Sequence, residues 1–252
     1  MKAVGDLLAF VIVSTVVLSI TLAIFFATMI FNEMTRATLE YGSVKSVFKD
    51  IAVKFDSILT GTKLMYGHPS DFVGIGYRRL ETDITIAIQL QNGTVASMEI
   101  NGFYAIQAVV HKILIEANKV IYGSTDSRLV DRLNNAVVLR EYTSNGSTVL
   151  EMTSDKIYYS IYNITESARS VIVVELVIAR IVKPYVVGSG TLVVYSRVNE
   201  TLSTTYESVQ GFTIAMNGDM LTSDQLLSEC IGQSVDSVNL HVRVVDVVFE
   251  IY

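Results

Sequence analysis

The chain has 252 residues, room for one or two domains, with a formal net charge of −6, 17% charged residues and a mean hydropathy of +0.44. It carries no basic tract, so it lacks the electrostatic footprint of a nucleic-acid binder. Its one cysteine, Cys230, excludes an intramolecular disulfide and reads as a small apolar filler beside Leu226, Leu227 and Ile231.

Residues 7–31, LLAFVIVSTVVLSITLAIFFATMIF, contain no charge, no proline and no glycine. As a helix this run is roughly 37 Å long at ~1.5 Å per residue, more than the ~20 residues needed to cross a bilayer core. It is too long for the apolar part of a secretory signal peptide and is not followed by an A-x-A cleavage site, so it reads as a retained segment. Its hydroxyls, on Ser14, Thr15, Ser19, Thr21 and Thr28, can bond back to the preceding turn or across packed helices.

The chain does not break after Phe31. Val44, Val47, Phe48, Ile51, Phe55, Ile58 and Leu59 recur at steps of three and four, one stripe of an amphipathic helix, while Lys45, Lys49, Asp50, Lys54 and Asp56 fall on other faces. Gly42 marks a site for a bend, and Gly61, Gly67 and His68-Pro69 supply the stop. The pattern predicts one helix from about residue 4 to about residue 62. The expected domains are residues 1–66, the helix, and residues 67–252, a β-rich head. A head beginning near Ser70 is expected to be a folded monomer unless residues 44–59 belong to its core.

Beyond Phe72 the period becomes that of strands. Segments 85–91, 94–100, 136–142, 147–153, 156–162, 191–197, 211–216 and 238–251 read as strands, and several alternate cleanly. Asn92-Gly93, Asn145-Gly146 and Asn217-Gly218 lie between or beside such runs as hairpin signals. VIVVELVIARIV (171–182) is apolar on both faces and predicts a central strand covered on each side. Residues 103–122 fit a helical stripe through Phe103, Ile106, Val110, Ile113, Leu114, Ala117 and Ile121; a strand pair is the alternative, and the helix is preferred. Residues 223–230 predict a short helix with Ser223 as its N-cap. The fold class is therefore α+β, a long helix followed by a mainly antiparallel β-rich globular head.

His68, His111 and His241 are far apart and have no metal-ligand spacing. The chain shows no nucleophile elbow, phosphate loop or zinc-protease motif, and no carboxylate pair reads as acid and base. Neither catalysis nor a cofactor is expected. Four N-x-[S/T] sequons, at Asn92, Asn145, Asn163 and Asn199, all follow the apolar helix and lie at strand ends or turns, where N-glycans would place the head outside the cell.

A very short leader (MKAVG), the apolar run and its charged helical continuation together resemble the type IV pilin superfamily, in its archaeal branch of adhesion pilins and archaellins. The resemblance covers residues 1–62. It implies that a prepilin-type peptidase cuts after Gly5, making Asp6 the mature N-terminus, or after Ala3. It implies a precursor held in the cytoplasmic membrane and then polymerised by membrane assembly machinery into an extracellular filament of identical subunits. Leu7, Phe10, Val13, Val17, Ile20, Ile24, Phe25 and Phe31 would build the filament core, and Val44, Val47, Phe48, Ile51, Phe55 and Ile58 would pack the helix on the head. Archaeal leaders usually carry two basic residues before the cut, where this chain has only Lys2, and Phe10 stands at the fifth mature position, which is acidic in bacterial pilins. The expected function is a structural subunit of an adhesion pilus or fibre. The alternative is a single-pass anchored surface binding protein or a minor pilin-like accessory protein.

Overall fold

A computed structural model describes residues 2–68, 71–111, 118–125, 129–131, 133–166, 169–184, 190–228 and 237–252. The helix α1 (Lys2–Val53) and a one-turn α2 (Phe55–Leu59) come first. Strands β1 (Leu64–His68), β2 (Val73–Arg79), β3 (Ile84–Leu90), β4 (Val95–Ile100), β5 (Tyr104–Val110), β6 (Lys119–Tyr122) and β7 (Leu129–Val130) follow. A 3-10 turn, Leu133–Ala136, leads into β8 (Val138–Ser144), β9 (Ser147–Thr153), β10 (Ile157–Glu166), β11 (Arg169–Val182), β12 (Gly190–Val198), β13 (Thr204–Met216) and β14 (Asp219–Thr222). The short α3 (Ser223–Leu227) and the long β15 (Ser237–Ile251) complete the described elements.

The strands form two sheets. The larger has the order β4-β3-β13-β15-β11-β10-β7, with β12 beside β15, β1 beside β12 and β14 beside β13; the smaller has the order β2-β5-β9-β8-β6. Pairing is antiparallel except for β7 with β10 and β11 with β15. The fold class is thus a long apolar helix followed by a mostly antiparallel β domain, as the sequence predicts. The parallel centre is the departure. It runs from Val171 opposite Ser237 to Val182 opposite Val248, and a parallel neighbour needs a long crossover, here everything from residue 183 to residue 236.

β15 organises both halves of the head. One edge pairs with β11 over most of its length. The other edge is shared, with β13 on the first part (Val209 opposite Val238, Thr204 opposite Val242) and β12 on the second (Val198 opposite Val245, Leu192 opposite Ile251). The buried alternation slips where the partner changes. Leu240, Val242 and Val244 enter one core; Val245, Val247, Phe249 and Ile251 enter another. An odd step in a period-2 strand puts these two sets on opposite faces. β11 divides the same way, with Ile172, Val174, Leu176 and Ile178 in one core and Val177, Ala179 and Ile181 in the other. The expected central strand covered on both sides is therefore present, with a different core on each side.

The first core lies between the smaller sheet, the second halves of β11 and β15, and the helices. The second lies between β3, β13, β10 and the first halves of β11 and β15. Turn chemistry matches the sequence. Asn145 and Gly146 (φ 50° and 72°) and Asn217 and Gly218 (φ 50° and 89°) are left-handed at both central positions, as two-residue hairpins require.

Four expectations need correction. Residues 104–110 and 119–122 are strands, not helix, and residues 112–117 lie outside the described residues. β5 turns Ile106, Ala108 and Val110 into the first core, but its other, half-covered face carries the apolar Ala105 and Val109, so the period of 2 is lost from the sequence. The helix does not run unbroken to residue 62: it ends at Val53, turns at Lys54 and resumes for five residues. The domain boundary at 66/67 falls inside β1, which starts at Leu64. The cap of α3 is Thr222, which forms a capping box with Gln225, and Ser223 is the first helical residue. Cys230 lies outside the described residues.

Residues 37–59 supply Ala37, Tyr41, Val44, Phe48, Ile51, Ala52, Phe55, Ile58 and Leu59 to the first core. A fragment starting near Ser70 loses that face, and also loses β1 from the edge of β12. It is expected to aggregate or to lack a fixed core. A fragment of residues 32–252 is expected to be a monomer that unfolds cooperatively. Size-exclusion chromatography and near-ultraviolet circular dichroism of the two fragments check this.

Candidate functional site

From Ala9 through Arg36 no described side chain of α1 is buried. Phe10 is 71% exposed and Phe31 is 69% exposed, and Val13, Val17, Ile20, Ile24 and Phe25 are exposed as well. An 18-residue window of this stretch has a mean hydropathy of 2.6, and none of it is covered by the rest of the chain. Gly5, Asp6 and Leu7 lie in α1, with side chains outside the described residues. The apolar residues surround the helix on all sides, so no single neighbouring surface of the head could cover them. By length and composition the helix can span a membrane or serve as an N-terminal signal.

Four of the five hydroxyls in this span are bonded within the helix. Thr15, Ser19, Thr21 and Thr28 each donate a hydroxyl hydrogen bond at 2.8 Å to the carbonyl four residues earlier, on Val11, Thr15, Val17 and Ile24. Thr35 and Thr38 do the same to Phe31 and Met34. A hydroxyl bonded into its own helix needs no water, which suits a lipid or helix-lined environment.

Below Arg36 the same helix enters the head. Val44, Phe48, Ile51, Phe55 and Ile58 are buried as the stripe predicts, and Val47 packs half-buried against them. Polar contacts fix the register. Glu141 of β8, fully buried, accepts hydrogen bonds from the Tyr41 hydroxyl and from Lys45 Nζ at 2.8 and 3.0 Å, and Lys119 Nζ lies 3.4 Å away. Glu40 Oε2 accepts the Phe72 backbone N–H at 3.0 Å, Asp50 Oδ2 accepts the Tyr66 hydroxyl at 2.6 Å, and the Ile58 carbonyl accepts the Ser196 hydroxyl at 2.5 Å. Burial raises the Glu141 pKa, but the bonds from Lys45 and Tyr41 outweigh it and hold the carboxyl below its ordinary value. Tyr41 is pushed the other way, by its burial and by the Glu141 charge.

Sequence reasoning missed Tyr41, Ala37 and Glu141. Tyr41 and Ala37 extend the stripe backwards from Val44 in steps of three and four and were readable; Glu141 is about a hundred residues away and gave no local signal. On the outer face of the smaller sheet, Glu151 is fully buried among Arg78, Arg140, Gln107 and Tyr142, which all donate to it. Burial raises its pKa, yet the bonds from Arg78, Arg140 and Gln107 bring it down from 4.5 to about 2.

The four sequons differ in geometry. Asn92, Asn145 and Asn163 are exposed. The Asn92 carbonyl oxygen accepts the Thr94 N–H at 2.9 Å, and the Asn163 oxygen accepts the Ser170 hydroxyl at 3.1 Å. Asn199 is half-buried, and its amide nitrogen donates to Asp246 Oδ2 at 3.1 Å, beside the ion pair of Asp246 with Arg180. His111 Nδ1 lies 2.7 Å from the Ser147 hydroxyl, and the His68 side chain lies outside the described residues. Among the described residues no three His, Cys, Asp or Glu side chains are grouped to hold a metal. No family model, curated protein or solved structure matches the chain.

Glu151 sets a pH dependence. Its folded pKa is depressed, so the stability it contributes is present above about pH 4.5 and is lost as pH falls toward about 2. The urea midpoint of the 32–252 fragment is expected to fall as the pH is lowered from about 5 to about 2, with a shallower dependence in E151Q. Equal slopes would remove Glu151 from this role.

Proposed function

We propose that this chain is a structural subunit of an extracellular helical filament, an adhesion pilus or fibre of the archaeal type IV pilin-like and archaellin-like superfamily. The observation that carries the reading is the division of one continuous helix, Lys2–Val53, into an apolar half that its own chain leaves bare and a half built into the head's core. A bare apolar helix of about 40 Å must be hidden. Lipid hides it in the membrane-resident precursor. Helices of identical copies hide it after assembly, with the heads outside. At ~25 cal/mol per Å² of apolar surface, such burial contributes tens of kcal/mol before entropy costs, which would make the polymer slow to dissociate. A heterologous contact that does not close on itself extends into an open filament.

The partners of this reading are identical subunits, the prepilin-type peptidase that cuts beside Gly5 and Asp6, the assembly machinery and N-glycans. No nucleic acid and no cofactor takes part.

Lysine at Val17 or Ile24 is expected to abolish filaments while the head keeps its melting temperature. Both positions are exposed and distant from either core, so head stability and assembly are read separately. Electron microscopy of sheared material, with mass spectrometry of its N-terminal peptide, is expected to find filaments of this chain beginning near Asp6. Protein confined to the detergent-extracted membrane fraction, without filaments, would instead establish the anchored surface protein. Among the sequons, Asn199→Gln is expected to leave the glycan mass unchanged and to lower head stability, because its amide is already bonded to Asp246. Asn92→Gln and Asn163→Gln are each expected to remove one glycan without a loss of stability, as intact-mass spectrometry and thermal melts would record.

A further inference from the structure

We infer that the tip of the β8–β9 hairpin, Ser144–Ser147, rests on the lipid headgroup layer and seats the head directly on the membrane surface. This rests on the proposed membrane residence of the apolar helix and adds a second, polar contact with the same membrane.

The level of the tip follows from two independent marks. The 3-10 turn that leads into β8 lies against α2, and Glu141, five residues after Ala136, meets Tyr41 and Lys45. Over that stretch β8 advances about 17 Å at ~3.3 Å per residue, while the helix falls back about 20 Å at ~1.5 Å per residue. A chain so nearly extended between the two contacts must run beside the helix in the opposite direction, toward the apolar half. From Glu141, Asn145 is about 13 Å further on, which corresponds to about nine helix residues.

The second mark is Phe72, whose N–H is held by Glu40. Its neighbour Val73 is opposite Val110, Val110 is opposite Thr148, and Thr148 is opposite Thr143. Four strands of the smaller sheet therefore end at one level near Glu40, and the turn after Thr143 continues about 7 Å beyond it at ~3.3 Å per residue. Both marks place Asn145-Gly146 beside Asn32–Arg36, the polar turn that ends the apolar run at Phe31.

That level is about 5–8 Å past the end of the apolar run, at ~1.5 Å per helix residue. It falls within the headgroup layer, since a bilayer is ~40–45 Å thick overall around a ~30 Å hydrocarbon core. The chemistry of the tip fits that layer and not the hydrocarbon. Thr143, Ser144, Asn145 and Gly146 are exposed and carry hydroxyl and amide groups with no apolar wedge, and the neighbouring His111 is exposed as well. The sequon at Asn145 would face the bilayer while the chain is membrane-resident, whereas Asn92 lies in the lobe built on the second core, outside the smaller sheet.

The chain contains no tryptophan, so one introduced indole reports alone. The full chain is reconstituted into phosphatidylcholine vesicles as S144W, N92W or V17W, with quenching by headgroup-nitroxide or acyl-chain-brominated phosphatidylcholine. The inference expects strong headgroup quenching for S144W, little for N92W, and acyl-chain quenching for V17W. Acyl-chain quenching of V17W without headgroup quenching of S144W overturns the seated head and leaves the membrane reading standing. Equal headgroup quenching of S144W and N92W overturns it too, because contact would then not be confined to this tip. An unquenched V17W overturns both readings.

Discussion

One rod carries two kinds of surface. α1 is a single helix whose first half presents apolar side chains on all sides and whose second half presents a single stripe. The first half is left uncovered by its own chain, and by length and composition it can span a membrane or serve as an N-terminal signal. The second half is stable only against the head, where Phe48, Phe55 and Ile58 are inaccessible to water. Because the two halves are covalently continuous, wherever the first half goes the head follows at a fixed distance. The junction is short: five residues, 32–36, separate Phe31 from Ala37, the first side chain buried by the head. Gly42 does not break the rod, since Tyr41 and Val44 on either side of it are held by the head.

The head in turn depends on β15. It carries both cores, changes partner midway and joins β11 in the parallel pair at the centre of the larger sheet. The clamp at Glu141 belongs to the smaller sheet, which reaches the rest of the head through the first core and the helix. Removing the helix therefore opens the space between the two sheets instead of trimming an appendage. The buried carboxylates Glu141 and Glu151 are held ionised by groups from several strands and from the helix, so each also specifies which elements come together.

The sequence was most legible where one face is buried and one is wet. The strand at 84–90, residues 211–216 of β13 and the stripe from Val44 to Ile58 show their periods directly. Legibility failed where apolar side chains occupy both faces of a strand whatever their burial. β5 sets Ala105 and Val109 on the face opposite Ile106, Ala108 and Val110, so the apolar positions from Phe103 to Ile121 fit a helical stripe equally well. The break at Lys54 carries no glycine or proline to announce it. The partners of Tyr41 and Lys45, and the parallel pairing of β11 with β15, join residues about a hundred and about sixty-six positions apart. No local pattern encodes such pairings. Of the site, the apolar span and the packing stripe were readable; the carboxylate that fixes their union was not.

The whole arrangement depends on a helix that is unbroken between its bare apolar half and its head-facing half. Hydrogen–deuterium exchange of the full chain in lipid nanodiscs measures this directly, amide by amide. The account predicts slow exchange from the apolar span through residues 32–43 and on into the stripe at Val44–Ile51, because every amide there is held by a helix anchored at both ends. Fast exchange confined to residues 32–43, between two protected halves, would contradict it and would make the head a domain on a flexible tether.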